Sequence, residues 1–238
     1  MVMSRIGLFD SGIGGTTILK ELINIMPNED YVYYADNKNN PYGELDDSEL
    51  FPITENIVRK LIECDCKIIV IACNTATTRC IKHLREVFPD ITFVGTEPAI
   101  KVACDNDYKN ILVLATPGTC ASERTKWLID TYQKEGQTNY LVPCFDLANA
   151  IERNKVHTEE RIIKEIYQIY KDKGIDCIVL GCTHYPLIKE LIGDYFKDIP
   201  LIDGSVGVAK RVKYLLEEKN NLSYDGTGNV LMIYSDQE

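Results

Sequence analysis

Two short segments of this chain carry the same reactive side chain in the same setting. Lys67-Ile-Ile-Val-Ile-Ala-Cys73-Asn74-Thr75 and Asp176-Cys-Ile-Val-Leu-Gly-Cys182-Thr183-His184 align without a gap. In each, an apolar, β-branched run ends on a small residue and a cysteine, followed by amide, hydroxyl or imidazole side chains. A thiol can give up or receive a proton, and a helix N-terminus beside it favours the thiolate. Two such groups suit inversion of a carbon centre without a carrier. One removes a proton from one face, the other returns a proton to the opposite face, and their roles exchange with direction.

Other chemistry can be read from the same residues. Two ordinary buried cysteines in similar strands account for the pair equally well on this observation alone, since free cysteine is among the most buried residue types. A Cys182–His184 nucleophile and base would make a cysteine hydrolase or thiol redox enzyme but leaves Cys73 without a role. Structural zinc favours closely spaced cysteine pairs or Cys/His sets, whereas Cys73 and Cys182 stand singly and Cys64-Asp-Cys66 is too tight, so no metal site is expected. His83 and His157 lie in polar, helical surroundings and read as surface residues.

The α-proton of an amino acid is far less acidic than a thiol, so a two-thiol mechanism needs donors that bind the transition state more tightly than the ground state. Ser11, Asn74, Thr75 and Thr183, with nearby backbone N–H groups, are the candidates. Phe9-Asp10-Ser11-Gly12-Ile13-Gly14-Gly15 reads as a strand ending in a glycine-rich turn that opens a helix, a place where backbone N–H groups approach an anion. It lacks the spacing of a nucleotide fingerprint. Asp10 there could bind an ammonium, orient a thiol or simply cap the turn. Asp36-Asn-Lys-Asn-Asn-Pro41-Tyr42-Gly43 reads as a loop after a strand, whose Tyr42 and Gly43 amides could grip a carboxylate, with Asp36 close by.

The elements that must hold these residues follow from hydrophobic period. Strands are expected over 5–9, 30–35, 67–71, 92–95, 110–115, 139–143, 177–181 and 201–203. Helices are expected over 15–25, 47–63, 76–88, 122–134, 146–154, 158–173, 185–195 and 205–219. Strand and helix alternate, the pattern of an α/β fold with mainly parallel sheets. The repeated cysteine segment predicts two similar, pseudo-symmetric α/β domains, each setting its cysteine at the carboxyl end of a strand, where open α/β sheets bind ligands. One domain comprises 1–96 plus 206–238 with Asp10 and Cys73; the other comprises 97–205 with Cys182.

Composition narrows the function. The 238 residues include 36 acidic and 26 basic side chains, a net charge of −10 that argues against a nucleic-acid partner. Residues 1–6 lack a signal-peptide pattern, and no apolar run approaches the length of a membrane span. Nine scattered cysteines, an odd number, fit reduced thiols in a cytoplasm better than a disulfide framework.

Taken in order, FDSGIGG at 9–15, DNKNNPYG at 36–43, ACNTAT at 72–77, EPA at 97–99, ATPGT at 115–119 and LGCTHYPL at 180–187 resemble the aspartate/glutamate racemase superfamily over nearly the whole chain. Within it they resemble the glutamate racemases. The resemblance implies a two-domain α/β fold with the active site in the interdomain cleft. It implies interconversion of L- and D-glutamate without pyridoxal phosphate, metal or other cofactor, supplying D-glutamate for peptidoglycan. Cys73 and Cys182 then correspond to the catalytic thiols, assisted by Asp10, Asp36, His184 and Glu152. Asp10, Ser11, Tyr42, Gly43, Asn74, Thr75, Thr183 and His184 correspond to substrate contacts, and a homodimer is implied. The chain departs from the family at Asn37-Lys38-Asn39-Asn40, where a Thr-Ala-Arg-like stretch is common, and has little after its last expected helix. A racemase acting on aspartate, or on both acidic amino acids, is the near alternative, since one methylene is worth only about 1 to 3 kcal/mol of discrimination. A non-catalytic amino-acid-binding protein is the non-enzymatic one.

Overall fold

The computed structural model describes residues 4–224 and 226–237. The first three residues, which fall within both the expected first domain and the amino-terminal segment read above, lie outside the described residues, as do 225 and 238.

The chain begins with β1 (Arg5–Asp10), α1 (Thr16–Ile25), β2 (Asp30–Ala35), α2 (Asp47–Glu63), β3 (Cys66–Ile71), α3 (Asn74–Val87) and β4 (Thr92–Gly95). It continues through α4 (Ile100–Asp105), β5 (Asn110–Ala115), α5 (Pro117–Ala121), α6 (Glu123–Tyr132), β6 (Thr138–Pro143), α7 (Leu147–Glu152) and α8 (Val156–Tyr170). It ends with β7 (Cys177–Gly181), α9 (Lys189–Tyr195), β8 (Leu201–Ile202), α10 (Ser205–Glu218) and β9 (Val230–Tyr234). The residues up to Thr96 together with those from Ser205 form one unit, and Glu97–Gly204 forms a second.

The first unit is built on a five-stranded sheet in the order β4-β3-β1-β2-β9, with every neighbouring pair parallel. Its inner strands are buried on both faces, which is why RIGLFD and CKIIVI read as nearly unbroken apolar runs rather than alternating ones. Ile18, Leu19 and Leu22 of α1 cover one face with Val208 and Val212 of α10. Leu50, Ile57 and Leu61 of α2 cover the other with Ala76, Cys80 and Leu84 of α3. Helix α2 starts sharply because Asp46 and Glu49 form a reciprocal capping box: Glu49 N–H donates to the Asp46 side chain at 3.1 Å and Asp46 N–H to the Glu49 side chain at 3.0 Å.

The second unit holds a four-stranded, all-parallel sheet in the order β6-β5-β7-β8. Apolar side chains of α7, α8 and α9 pack on one face, among them Leu147, Ile163 and Ile192. Ile100 and Ala103 of α4 and Leu128 of α6 pack on the other.

Parallel pairing has one consequence for function: within each sheet, all carboxyl ends fall on one edge. Register sets Asp10 beside Ala35 and Phe9 beside Ile71, so the segments after β1, β2 and β3 emerge together. In the second unit Ala115 lies beside Pro143 and Gly181, which brings the segments after β5, β6 and β7 to one edge.

Several elements differ from expectation. A strand at Val230–Tyr234 adds to the outer side of β2, where little structure was expected after the last helix; as an edge strand its first residues are exposed and need no helix to cover them. Helices α4 and α5 are too short to show a helical period. The loop after β2 contains two 3-10 turns, at Asn37–Asn39 and Tyr42–Glu44. The stretch expected as one helix over 185–195 divides into a 3-10 turn at Tyr185–Ile188, with Pro186 at its start, and α9. Ser205 opens α10 and falls with the first unit.

Candidate active site

At the carboxyl edge of the first sheet, Asp10 is fully buried and its Oδ1 accepts the N–H of Ser11 at 2.8 Å. The carbonyl of Asp10 accepts the N–H of Asp36 at 2.9 Å, which ties the end of β1 to the end of β2. The intervening glycine turn is packed tightly. Tyr33 donates its hydroxyl to the Gly12 carbonyl at 2.7 Å, and a Cβ on Gly15 would meet both Ala72 and the Tyr33 oxygen at 2.8 Å, so only glycine fits against the residue preceding Cys73.

Asp36 is buried, and neutral donors hold its carboxylate. Tyr42 donates to Oδ2 at 2.8 Å, and Asn39 Nδ2 lies 3.0 Å from each oxygen. The phenol of Tyr42 is held well above its ordinary range by burial first, then by Asp36, with Cys73 and Asp10 adding to the same effect. It therefore stays protonated and acts as a donor. Tyr42 thus presents its side chain to Asp36, while its carbonyl accepts from Arg79 at 3.1 Å; Gly43 beside it is exposed with open space around it.

Cys73 stands at the N-cap of α3, and its Sγ accepts the N–H of Ala76 at 3.5 Å. Asn74 and Thr75, the first residues of the helix, are buried with it. The Oδ1 of Asn74 is buried without a hydrogen-bond partner among the described residues, an acceptor held ready beside the thiol. Seven of the candidate residues, Asp10, Ser11, Asp36, Tyr42, Cys73, Asn74 and Thr75, are therefore buried in the segments that leave one sheet edge, with Gly43 exposed beside them.

In the second unit Cys182 directly follows β7. Its Sγ lies 3.9 Å from Nδ1 of His184, and Nε2 of His184 lies 2.5 Å from Oε2 of Glu152, the last residue of α7. Thr183 is buried alongside. The expected helix N-terminus beside Cys182 is not present: four residues of 3-10 turn follow, too short to build the dipole that α3 gives Cys73. Sequence reasoning also missed what lies behind Cys182. Tyr185 is fully buried, and its phenol is raised well above the ordinary range by burial and then by the thiols of Cys144 and Cys182. Burial pushes Cys144 up to about 12 and Cys120 up to about 11, so both remain unreactive thiols. Nothing but their position after or near strand ends could have singled them out.

His157 is exposed as expected, but His83 is not a plain surface residue. It is half-buried, stacked on Phe51 at 4.4 Å and bonded to Glu55 at 2.8 Å, because α2 and α3 pack side by side. Among the described residues, no group of three or more His, Cys, Asp or Glu side chains is arranged to hold a metal, and no helix is long and apolar enough to cross a membrane.

Each unit thus sets a cysteine just after a strand of its sheet, Cys73 against the start of α3 and Cys182 beside His184. Residues 38–211 match the family model described as Asp/Glu/Hydantoin racemase. The chain belongs to the Asp/Glu/hydantoin racemase family. Among racemases it is similar to the glutamate racemase of Clostridium botulinum (strain Alaska E43 / Type E3), 42% identical over 235 residues that cover 97% of this chain and 91% of that one. Its fold is similar to that of the glutamate racemase from Francisella tularensis subsp. tularensis SCHU S4 in complex with D-glutamate. The TM-score is 0.83 at 32% identity, over 98% of this chain and 89% of that one. It is also similar to Escherichia coli glutamate racemase in complex with L-glutamate and the activator UDP-MurNAc-ala, with a TM-score of 0.79 at 26% identity, over 97% and 98% of the two chains.

Proposed function

We propose that this racemase interconverts L- and D-glutamate with Cys73 and Cys182 as its two acid–base groups, needs no cofactor, and supplies D-glutamate for peptidoglycan. The observation that carries the reading is that Cys73 and Cys182 each follow a strand at the carboxyl edge of their own sheet, Cys73 at the N-cap of α3 and Cys182 beside the His184–Glu152 pair. Asp10 and Asp36, at the ends of β1 and β2 on the same edge as Cys73, are assigned to assist it. A binding protein has no use for two such sets, and a hydrolase would use only one.

In each direction one cysteine, as thiolate, takes the α-proton while the other, as thiol, delivers a proton to the opposite face. The Ala76 N–H and the start of α3 stabilise a negative sulfur at Cys73. His184, fixed by Glu152, receives or returns the Cys182 proton. Asp10 and the unpaired Asn74 oxygen suit the substrate ammonium. Ser11, Thr75 and Thr183, with the backbone amides at Tyr42 and Gly43, suit its carboxylates, whose charge grows as the α-carbon loses its proton. The resemblance also leads us to a cytoplasmic homodimer, and nine free cysteines accord with a reducing compartment.

The test is incubation of the purified protein with L-glutamate in deuterated buffer without added cofactor. Optical rotation should fall to zero while deuterium enters the α-position, and Cys73→Ser and Cys182→Ser should each lose at least about 100-fold in rate. Rapid change of aspartate but not glutamate would move the substrate, and inactivity on both would remove the racemase reading.

A further inference from the structure

We propose that Asn39 is a positioning residue for Asp36, and through it for the proton transfer at Cys73; the proposal rests on the racemase reading above. A buried carboxylate beside a reacting thiol must be held in one orientation to be of use, because rotation about its last bond swings both oxygens. A donor to one oxygen permits that rotation. Asn39 Nδ2 stands 3.0 Å from both oxygens of Asp36, so turning the carboxylate in either direction loses a contact, and the Tyr42 hydroxyl fixes Oδ2 from another side at 2.8 Å.

Asn39 is itself held by a relay from the far end of the chain. It lies on the 3-10 turn Asn37–Asn39, closed by its own N–H to the Asp36 carbonyl at 3.3 Å. The neighbouring N–H of Lys38 donates to the hydroxyl of Ser235 at 3.0 Å, and the N–H of Ser235 donates to the Ala35 carbonyl at 3.0 Å. The end of β9 therefore fixes the turn, the turn fixes the amide, and the amide fixes the carboxylate. The donors of this grip, Asn39 and Tyr42, carry no charge. They orient Asp36 by geometry alone, through three contacts to its two oxygens. The end of β1 carries both groups: the Asp10 carbonyl accepts the N–H of Asp36 at 2.9 Å, and the Phe9 carbonyl accepts the N–H of Ala72, the residue before Cys73, at 2.8 Å.

The experiment compares the full-length wild type with Asn39→Ala, Asn39→Gln and Ser235→Ala, using both enantiomers of glutamate with hydrogen or deuterium on the α-carbon. The enantiomers have equal free energy, so kcat/KM must fall equally in both directions. The site of the damage is read instead from the isotope effect on kcat/KM. Asn39→Ala should lower kcat about tenfold with KM within about twofold. The isotope effect should grow for the enantiomer deprotonated at Cys73, identified as the one whose α-hydrogen exchange is lost in Cys73→Ser, and shrink for the other. Asn39→Gln, which keeps the amide on a longer arm, should recover most of the rate. Ser235→Ala loosens the turn without touching Asp36 and should give the same isotope pattern with a smaller loss, which keeps the test available if Asn39→Ala does not fold. Unchanged kcat, or a loss in which both isotope effects move together and glutamine restores nothing, would overturn the proposal. A wild type inactive on glutamate and aspartate would instead remove the racemase reading on which it rests.

Discussion

Glu152 and His184 lie 32 residues apart in the chain and 2.5 Å apart in space, the carboxylate against Nε2 and the other ring nitrogen facing Cys182. Both are largely withdrawn from water, with side chains 14% and 4% exposed. The contact decides the tautomer. With the Nε2 proton shared with Glu152, a neutral imidazole turns its Nδ1 lone pair toward the thiol, and a protonated one keeps its charge next to a carboxylate. On the proposed mechanism the pair serves Cys182 as proton acceptor, with the charged ring stabilised by Glu152, in place of the helix terminus that Cys73 has.

Glu152→Gln should lower kcat roughly 10- to 100-fold, as expected from losing a charge-assisted hydrogen bond of about 1.5 to 3 kcal/mol, while KM changes little. The amide can still bond Nε2, but it leaves an imidazolium without a counter-charge and can reverse the tautomer. Steady-state racemisation in both directions measures this, and an unchanged kcat would show that the carboxylate only packs against the ring.

Most of the frame that holds these groups was legible in the sequence, because parallel strands buried on two faces leave uninterrupted apolar runs, as in Lys67-Ile-Ile-Val-Ile-Ala and Asp176-Cys-Ile-Val-Leu-Gly. The two cysteines were legible for the same reason, each ending such a run. Glu152 and His184 were each singled out by family resemblance, but their contact was not, since nothing in local spacing ties the end of α7 to the segment after β7. The strand at Val230–Tyr234 was less legible, although Val-Leu-Met-Ile-Tyr is a fair strand signal, because an irregular stretch separates it from α10 and its partner, β2, lies some 200 residues earlier. Asn39 was invisible as a functional residue: a run of Asn and Lys before Pro41 reads as a turn on composition, and only the fold aims one of its amides at Asp36.

Asn74 offers a test that separates function from stability. A buried oxygen left without a partner costs about 1 to 3 kcal/mol in the free protein, while Asn74→Ala loses a small amount of packing. The two effects oppose each other, so the unfolding free energy should stay within about 1 kcal/mol of wild type. Yet KM for glutamate should rise, since the oxygen is assigned to the substrate ammonium. Urea unfolding and initial rates on the same preparation decide it. A large loss of stability with unchanged KM would make Asn74 a structural residue.

Alkaline pH should destabilise the protein through thiols that take no part in catalysis. Burial pushes Cys66, Cys80, Cys144 and Cys177 up to about 12 and Cys120 up to about 11, against an unfolded value of about 8.5. Below the unfolded value both states keep the proton and the contribution is constant. Above it the unfolded chain releases protons that the folded one retains, so stability falls as pH rises toward the folded values. Tyr31, Tyr42 and Tyr185, also raised by burial, act in the same direction at higher pH. The urea midpoint should decline from pH 8.5 to pH 11, and Cys177→Ala should decline less steeply while keeping its activity at neutral pH. A midpoint flat over this range would contradict the assignment.

The ion pair of Lys67 and Glu29 is placed to hold the carboxyl-terminal segment on the first sheet. Lys67 Nζ lies 2.8 and 3.0 Å from the two oxygens of Glu29, with side chains 4% and 0% exposed. The same ammonium donates to the Asn221 carbonyl at 2.7 Å, and Glu29 accepts the N–H of Ser223 at 2.7 Å, so residues between α10 and β9 are tied to the amino-terminal ends of β2 and β3. Removing one partner strands a buried charge. Lys67→Met should therefore cost about 3 to 5 kcal/mol, whereas Lys67→Met combined with Glu29→Leu should recover much of that loss. Urea unfolding gives the totals. Hydrogen exchange should locate the weakness, with the amides of β9 opening before those of β1 and β3 in the single variant, because β9 is an edge strand whose approach depends on the tied segment. A cost below about 1 kcal/mol for Lys67→Met would mean that Glu29 takes up a proton or finds another partner at little expense, and the pair would then not be what fastens the segment.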